Sequence, residues 1–179
     1  MWKKKRSLPD FLILFLIVLL FYPHQSIATT TISYENLESK DINDFNSPVD
    51  SFVDVFGLKS SLSSSAVVTI QTWVAHTYNY DLVIRLYGPN GNYITLSYRE
   101  GGEYDNIFNG TLFTDSASNS VSTYNFKKNG VVSPLKPEEK LSYFRGKNPN
   151  GQWKLRIYDL YSADDGSLNG FTLNIQGFF

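Results

Sequence analysis

Two runs of alternating apolar residues near the end of the chain constrain its fold more than any other feature. Each run places large apolar side chains at every second position: Trp153, Leu155 and Ile157 in the first, and Phe171, Leu173 and Ile175 in the second. Side chains two apart share one face of a strand, so each run predicts a strand with one buried and one wet face. The stretch 160–169 between the runs carries several turn formers, among them Asp164, Asp165 and Gly166. This predicts that the two strands pair and that the loop projects from one end of the sheet.

Similar alternation recurs earlier in the chain. Residues 66–76 are the clearest case, with a predicted core face made of Val68, Ile70, Thr72, Val74 and His76. Residues 81–87 and 92–98 also alternate, and the Asn-Gly pair at 90–91 between them indicates a tight hairpin turn.

Two weaker elements complete the predicted set of strands. The stretch 49–56 predicts a first edge strand with Phe52 as its anchor, and residues 111–115 predict a short strand that ends at Asp115. No long stretch of the sequence has the period of a helix. Short strands spaced about 8 to 12 residues apart predict an all-β fold, a jelly-roll-like antiparallel β-sandwich.

The first 28 residues have the organisation of a signal peptide. A basic segment at 3–6 precedes an apolar run at 11–22. That run has the length of a signal core and falls short of the roughly 20 residues that a membrane-spanning helix needs. Ser26 and Ala28 predict cleavage after Ala28. We therefore expect the remaining chain to be secreted, or held at the cell surface if the segment stays uncleaved.

Composition narrows the classes of function. Cleavage would remove four cations and Asp10, which takes the formal net charge from −1 to about −4 and argues against nucleic acid as a partner. The sequence has no cysteine, so cysteine catalysis and cysteine-bound zinc are excluded. An exported domain without disulfides depends on its core or on a bound metal. Residues 29–48 are polar and acidic and predict a linker, which leaves 49–179 as the β-sandwich domain.

Several short motifs follow one another in a fixed order through residues 50–176. They are His76-Thr77 with Asp81-Leu82; Leu86, Pro89 and Gly91; Phe113 and Asp115; Pro137, Leu141, Phe144 and Gly146; Gly151, Trp153, Leu155 and Asp159; and Gly166 with Leu168. This order and spacing resemble the P domain, also called the P/Homo B domain, of kexin- and furin-like proprotein convertases and of bacterial secreted proteases.

The resemblance implies a galactose-binding-like jelly roll that supports a protease, stabilises it, or contacts its partners. P domains follow a protease domain, whereas here we expect only the signal and an acidic segment before the domain. The sequence therefore predicts a secreted, non-catalytic P-domain protein whose partner is an extracellular protease or another secreted protein.

The residues that remain do not suggest nucleophilic catalysis. A Ser-His-Asp triad needs a base between its nucleophile and its acid, and signal cleavage would leave His76 as the one histidine. His76 shares the predicted core face with Val74, which favours a structural histidine. We expect no catalytic residues, and we expect structural roles for the motif residues His76, Asp81, Asp115, Gly151 and Trp153. Serine endopeptidase activity of the chain itself is the least favoured alternative.

Three acids crowd the loop after the first alternating run: Asp159, Asp164 and Asp165. Their hard oxygen atoms suit calcium, which takes six to eight oxygen ligands. The alternative is that Asp159 and Asp81 cap turns while the other two acids are solvated. Calcium is the one cofactor that the sequence suggests.

Aromatic residues outside the predicted core suggest a binding surface. Trp73 and Tyr87 face away from the core, and Tyr78 and Tyr80 lie in the turn between their strands. Such rings stack on sugars or contact proteins, unless flanking loops cover them. A carbohydrate- or surface-binding module with a glycan partner is therefore the alternative function.

Overall fold

The structure is a computed structural model that describes residues 29–42, 45 and 47–177. The predicted signal peptide lies outside the described residues, as do the last two residues of the predicted domain. No helix in the described part of the chain is long and apolar enough to cross a membrane.

These residues fold almost entirely into strands. The strands are β1 (Thr30–Asn36), β2 (Lys40–Ile42), β3 (Val49–Val55), β4 (Val67–His76), β5 (Leu82–Tyr87), β6 (Tyr93–Tyr98), β7 (Asn109–Phe113), β8 (Gly151–Asp159) and β9 (Gly166–Gly177). Two single-turn 3-10 helices, Asn79–Asp81 and Leu141–Phe144, lie in the connections.

The strands form two antiparallel sheets that enclose one core. The first sheet has the order β1-β9-β4-β7, with β2 also paired to β9, and the second has the order β3-β8-β5-β6. Apolar residues from the inner faces of both sheets belong to one buried cluster. The predicted all-β antiparallel sandwich is confirmed, as is the hairpin of β5 and β6.

Trp153 is one of the largest buried side chains of this core. Its side chain is almost fully buried, and its ring meets that of Phe144 edge-on with 4.6 Å between centroids. The indole nitrogen donates a hydrogen bond of 2.7 Å to the carbonyl oxygen of Pro149. The one polar atom of this large side chain is thus satisfied, so burial of the ring is favourable.

The prediction that the two alternating runs pair with each other was wrong. The first run is β8, which pairs with β3 and β5, and the second is β9, which pairs with β1, β2 and β4. Alternation shows which face of a strand is buried, and it does not show which strand lies beside it. The segment 160–165 therefore crosses from one sheet to the other, and the two apolar faces contribute to the same core from opposite sides.

The acidic segment predicted as a linker contributes β1 and β2 to the first sheet. β1 pairs with β9 along its whole length, from Thr30 to Asn36. Ile32 and Tyr34 pack against the core from the side of β1 that faces inward. Their alternation is easy to miss because β1 is a half-buried edge strand whose other residues are polar.

Phe52 is not the buried anchor that the sequence predicted for β3. It is 38% exposed, whereas Val53 and Val55 are buried. The register with β8 explains the difference, since Val53 lies opposite the buried Trp153 and Phe52 lies opposite Lys154. Neighbouring residues of a strand point to opposite faces, so Phe52 lies on the outer face.

We expect Trp153→Ala to lower the free energy of unfolding by about 3–5 kcal/mol, because it opens a large cavity in the core. The control is Trp73→Ala, since Trp73 is only half-buried on the outer face of β4 and should lose much less. Urea unfolding followed by circular dichroism measures both changes. Equal losses in the two variants would contradict the assigned core.

Candidate functional site

Polar residues gather at one end of the sandwich, where β4 and β8 end and β5 begins. His76 is the last residue of β4, Asp159 is the last of β8, and Asp81 ends the 3-10 turn before β5. All three are buried. In such a water-poor environment, unpaired polar groups are costly and paired ones are held firmly.

Both ring nitrogens of His76 are engaged. Nε2 lies 3.2 Å from Oδ2 of Asp159, while Nδ1 lies 3.2 Å from the backbone nitrogen of Tyr78 and 3.0 Å from its carbonyl oxygen. In the neutral ring, Nε2–H donates to Asp159 and Nδ1 accepts from the Tyr78 N–H; a protonated ring donates to the Tyr78 carbonyl instead. This geometry leaves neither nitrogen to take a proton from a serine, as a triad base must.

Gly166 allows β9 to pass directly over this histidine. Gly166 lies opposite His76 in the pairing of β4 with β9. A Cβ atom at this position would lie 2.3 Å from the carbonyl oxygen of Ala75 and 2.5 Å from Cδ2 of His76. Only glycine fits such a close approach, which explains one of the motif positions.

Negative charge accumulates around Asp81. Burial raises the pKa of Asp81 above its usual value, and the charges of Asp159 and Asp164 raise it further, against opposing effects from His76 and Arg99. Negative charges beside a buried carboxylate destabilise its ionised form. This end of the sandwich therefore has a negative potential that a cation would relieve.

The three acids predicted as calcium ligands do not converge. Asp159 points inward to His76 and also accepts from the backbone nitrogen of Tyr161 at 3.1 Å. Asp164 accepts from the hydroxyl of Thr77 at 2.9 Å, and Asp165 is exposed. Throughout residues 29–42, 45 and 47–177, no three His, Asp or Glu side chains form a group that could hold a metal ion. A calcium ion here would need backbone or water oxygens in addition to these carboxylates.

Two further motif residues hold loops in place. The carboxylate of Asp115 accepts hydrogen bonds from the backbone nitrogens of Leu141 and Ser142, at 2.7 and 2.8 Å. These bonds fix the start of the Leu141–Phe144 helix. Gly151 has a φ of +122°, and a Cβ there would lie 2.9 Å from Cβ of Pro89.

The aromatic residues predicted as one binding surface lie on three different parts of the molecule. Trp73 is half-buried on the outer face of the first sheet, and Tyr87 is half-buried on the outer face of the second. Tyr78 and Tyr80 lie beside the buried polar end. Because the two sheets of a sandwich are about 10 Å apart with the core between them, these four rings do not form one surface.

A charged surface that the sequence analysis missed covers the outer face of the second sheet. It consists of outward side chains from three adjacent strands: Arg85 and Tyr87 on β5, Tyr93 on β6, and Lys154, Arg156 and Tyr158 on β8. We call it the basic tyrosine face. The sequence does carry these cations and tyrosines at the polar positions of its alternating runs. They can be recognised as one surface only when β5 and β8 are known to be neighbours.

Cations and rings alternate across the basic tyrosine face. Lys154 lies 4.4 Å from the ring centroid of Tyr87, and Arg85 lies 4.8 Å from that of Tyr93 and 5.3 Å from that of Tyr158. Such cation–π contacts hold long side chains in place on an exposed face. The face is therefore an ordered array of positive charges.

Comparison with known proteins gives a consistent set of relatives. The family model for the proprotein convertase P-domain matches residues 65–175. Leupeptin-inactivating enzyme 1 of Streptomyces exfoliatus is 28% identical over 144 residues, which cover 79% of this chain and 25% of that protein. The chain thus spans about a quarter of this relative's length.

Solved structures of an Aeromonas sobria serine protease are also similar to this chain. The protease alone matches with 16% identity and a TM-score of 0.45 over 89% of this chain and 29% of its own. The same protease in complex with a chaperone matches with 16% identity and a TM-score of 0.45 over 90% of this chain and 29% of its own.

We expect Asp81→Asn to stabilise the protein at pH 7. The pKa of Asp81 is higher in the folded state than its value of 3.8 in the unfolded chain. The protonated carboxyl group therefore stabilises the fold fully below pH 3.8, and this stabilisation is lost as the pH rises through the folded pKa. Asparagine does not ionise and so avoids that loss. The melting temperature of the variant should therefore be higher than that of the wild type at pH 7 and equal to it at pH 3. Thermal melting in chelator measures the difference.

The control for this test is Asp41→Asn, because Asp41 is exposed. It should leave the melting temperature nearly unchanged at both pH values. A lower melting temperature for Asp81→Asn at pH 7 would show that the ionised carboxylate makes a stabilising contact, and would contradict the repulsion described above.

Calcium binding beside the 159–165 loop stays a prediction, supported by the negative potential at this end. Calcium at about 100 times its dissociation constant adds about 2.7 kcal/mol to the free energy of unfolding, which is several degrees for a domain of this size. We expect millimolar calcium to raise the melting temperature relative to chelator, and magnesium to raise it less because its geometry is stricter. No shift at millimolar calcium would exclude the metal.

Proposed function

The chain belongs to the proprotein convertase P-domain family, and from this premise we propose that it is a non-catalytic accessory module of an extracellular serine protease. In this role it stabilises the protease or brings it to its partners. The observation that carries the proposal is the family match over residues 65–175, which includes strands β4 to β8 and most of β9, from both sheets of the sandwich.

The surroundings of His76 support the absence of catalysis. His76 is 1% exposed, its Nε2 is paired with Asp159, and its Nδ1 faces the backbone of Tyr78. A general base must reach the proton that it abstracts. The buried ring of His76 instead has a structural role, because its two nitrogens link Asp159 to the backbone of Tyr78. The activity in the name of the Streptomyces relative is that of a protein of which this chain matches a quarter.

Export is part of the same proposal. The basic and apolar segments of the first 28 residues are typical of a signal peptide. A domain without cysteine is suited to export when its core is large enough, and this core draws buried residues from both sheets. Extracellular proteases and other secreted proteins are then the partners within reach.

A carbohydrate- or surface-binding module is the second candidate, and one observation favours it. A groove of about 920 Å³ lies beside β6. Two of its lining residues, Tyr98 and Tyr143, are 50% and 43% exposed. Exposed rings along a groove suit sugar stacking. Binding to a glycan array that is lost in Tyr98→Ala would favour this candidate over the first.

The leading proposal is tested by capture from the secreted fraction of the source. We expect the immobilised chain to retain a protein that reacts with a covalent probe for active serine hydrolases, and we expect that protein to survive heating longer when the chain is present. The purified chain alone should not hydrolyse casein. The control column carries Trp153→Ala, whose fold is weakened.

Two results would contradict the proposal. One is casein hydrolysis that copurifies with the chain and survives His76→Ala, which would reveal a reaction centre elsewhere in it. The other is a captured protease whose rate of heat inactivation is the same with and without the chain, together with equal capture on the Trp153→Ala column.

A further inference from the structure

The basic tyrosine face places like charges directly opposite each other. In the register of β5 with β8, Arg85 lies opposite Arg156 and Tyr87 lies opposite Lys154. Like charges at directly opposed positions of an antiparallel pair destabilise the sheet. Neutral residues would avoid this repulsion on the outer face of the sheet. Its presence indicates that the charges have a function.

One acid offsets part of this charge. The two oxygens of Asp50 accept from Nε and an Nη of Arg156, both at 2.6 Å, and Lys154 lies 3.8 Å from the same carboxylate. Among the described residues of this face, Asp50 makes salt bridges with two of the three cations, Lys154 and Arg156. The three cations and Asp50 leave two positive charges in excess, and the exposed Asp54 on the same side of β3 reduces this excess to one, on a chain whose formal net charge is −1.

The guanidinium group of Arg85, at the centre of the face, has an unused hydrogen-bond donor. Its Nε is buried and has no hydrogen-bond partner within the described part of the chain. Burial opposes ionisation of the nearby Tyr158, yet hydrogen bonds from Tyr87 and Arg156 and the adjacent guanidinium charges lower its pKa below the ordinary value. Among the described residues, the Asp50 carboxylate pairs with Arg156 and no carboxylate pairs with Arg85, whose unmet Nε–H is costly.

We propose that the basic tyrosine face binds an acidic segment of another polypeptide, in an extended conformation with carboxylates at alternate positions. Residues two apart on a strand are about 6.8 Å apart, which is the spacing of Lys154 and Arg156 on β8. An extended segment with acids at every second residue repeats that spacing. Guanidinium groups pair with carboxylates through two parallel hydrogen bonds, which suits Arg85 to such a ligand.

The rings of this face favour an acidic peptide over an acidic sugar. A sugar needs a free aromatic face on which to stack. Tyr87 instead has Lys154 over its ring and packs against Tyr93 with 4.9 Å between centroids. The rings are thus in contact with the cations. The groups left to contact a partner are the ammonium and guanidinium groups and the tyrosine hydroxyls.

This inference deepens the proposed function and rests on it only in supposing that the chain acts by contact with another polypeptide. The capture experiment tests that supposition, and the peptide experiment below tests the face. A failed peptide test with successful protease capture would overturn this inference alone.

The test is a fluorescence anisotropy titration of the purified full chain against a labelled peptide of five Glu-Ser repeats. We expect binding at 50 mM NaCl and at least about tenfold weaker binding at 500 mM, because salt screens contacts at an exposed face. The double variant Arg85→Gln with Lys154→Gln should bind at least about tenfold more weakly, since it removes two charged contacts. A peptide of five Lys-Ser repeats should not bind.

The matched control is Lys127→Gln with Lys128→Gln, which removes the same net charge from an exposed loop and should bind the acidic peptide as the wild type does. Near-ultraviolet circular dichroism checks the fold of both double variants, and Lys154→Gln alone replaces the test variant if that fails to fold. Equal binding by test and control variants would overturn the inference. So would no binding of the peptide at 50 mM NaCl, including the case in which polygalacturonate binds through Arg85 and Lys154.

Discussion

The opposed apolar faces of β8 and β9 are the constraint on which the remaining structure depends. Each strand lies inside its sheet, with neighbours on both sides, and their inward residues are all buried: Trp153, Leu155, Ile157, Phe171, Leu173 and Ile175. Because the side-chain period of a strand is two, a one-residue slip would turn each set into water. The core therefore fixes the register of both sheets, and with it every residue on their outer faces.

How much of this could be predicted depends on what alternation reports. It correctly identifies the buried face of β4, β8 and β9, because each carries large apolar residues at every second position. It does not identify neighbours, and the segment 160–165, which can extend to about 20 Å, is long enough to cross a sandwich whose sheets are about 10 Å apart. β1 escaped prediction because its place depends on backbone pairing with β9 and on Gly170, whose missing Cβ would meet the Asn36 carbonyl oxygen at 2.3 Å.

The buried polar end follows partly from the same periodicity. Asp159 is two residues beyond Ile157, so its inward direction is a continuation of the apolar face of β8. His76 likewise continues the inner face of β4, and the two side chains meet where their strands end. The direction of Asp164 does not follow in this way, because it lies in an irregular loop whose shape depends on a hydrogen bond to Thr77. Sequence identifies the acids of this end, whereas the tertiary contacts decide which of them face inward.

The basic tyrosine face is the counterpart of the core on the opposite side of the same strands. Lys154 and Arg156 alternate with Trp153 and Leu155, so the packing that buries the apolar residues also fixes the spacing of the cations. Charges carried by central strands need little ordering when a partner binds, unlike charges on loops, and their spacing selects among partners. The acidic segment proposed above would meet cations whose spacing is already set by the strands, and its carboxylates would offset the repulsion between Arg85 and Arg156.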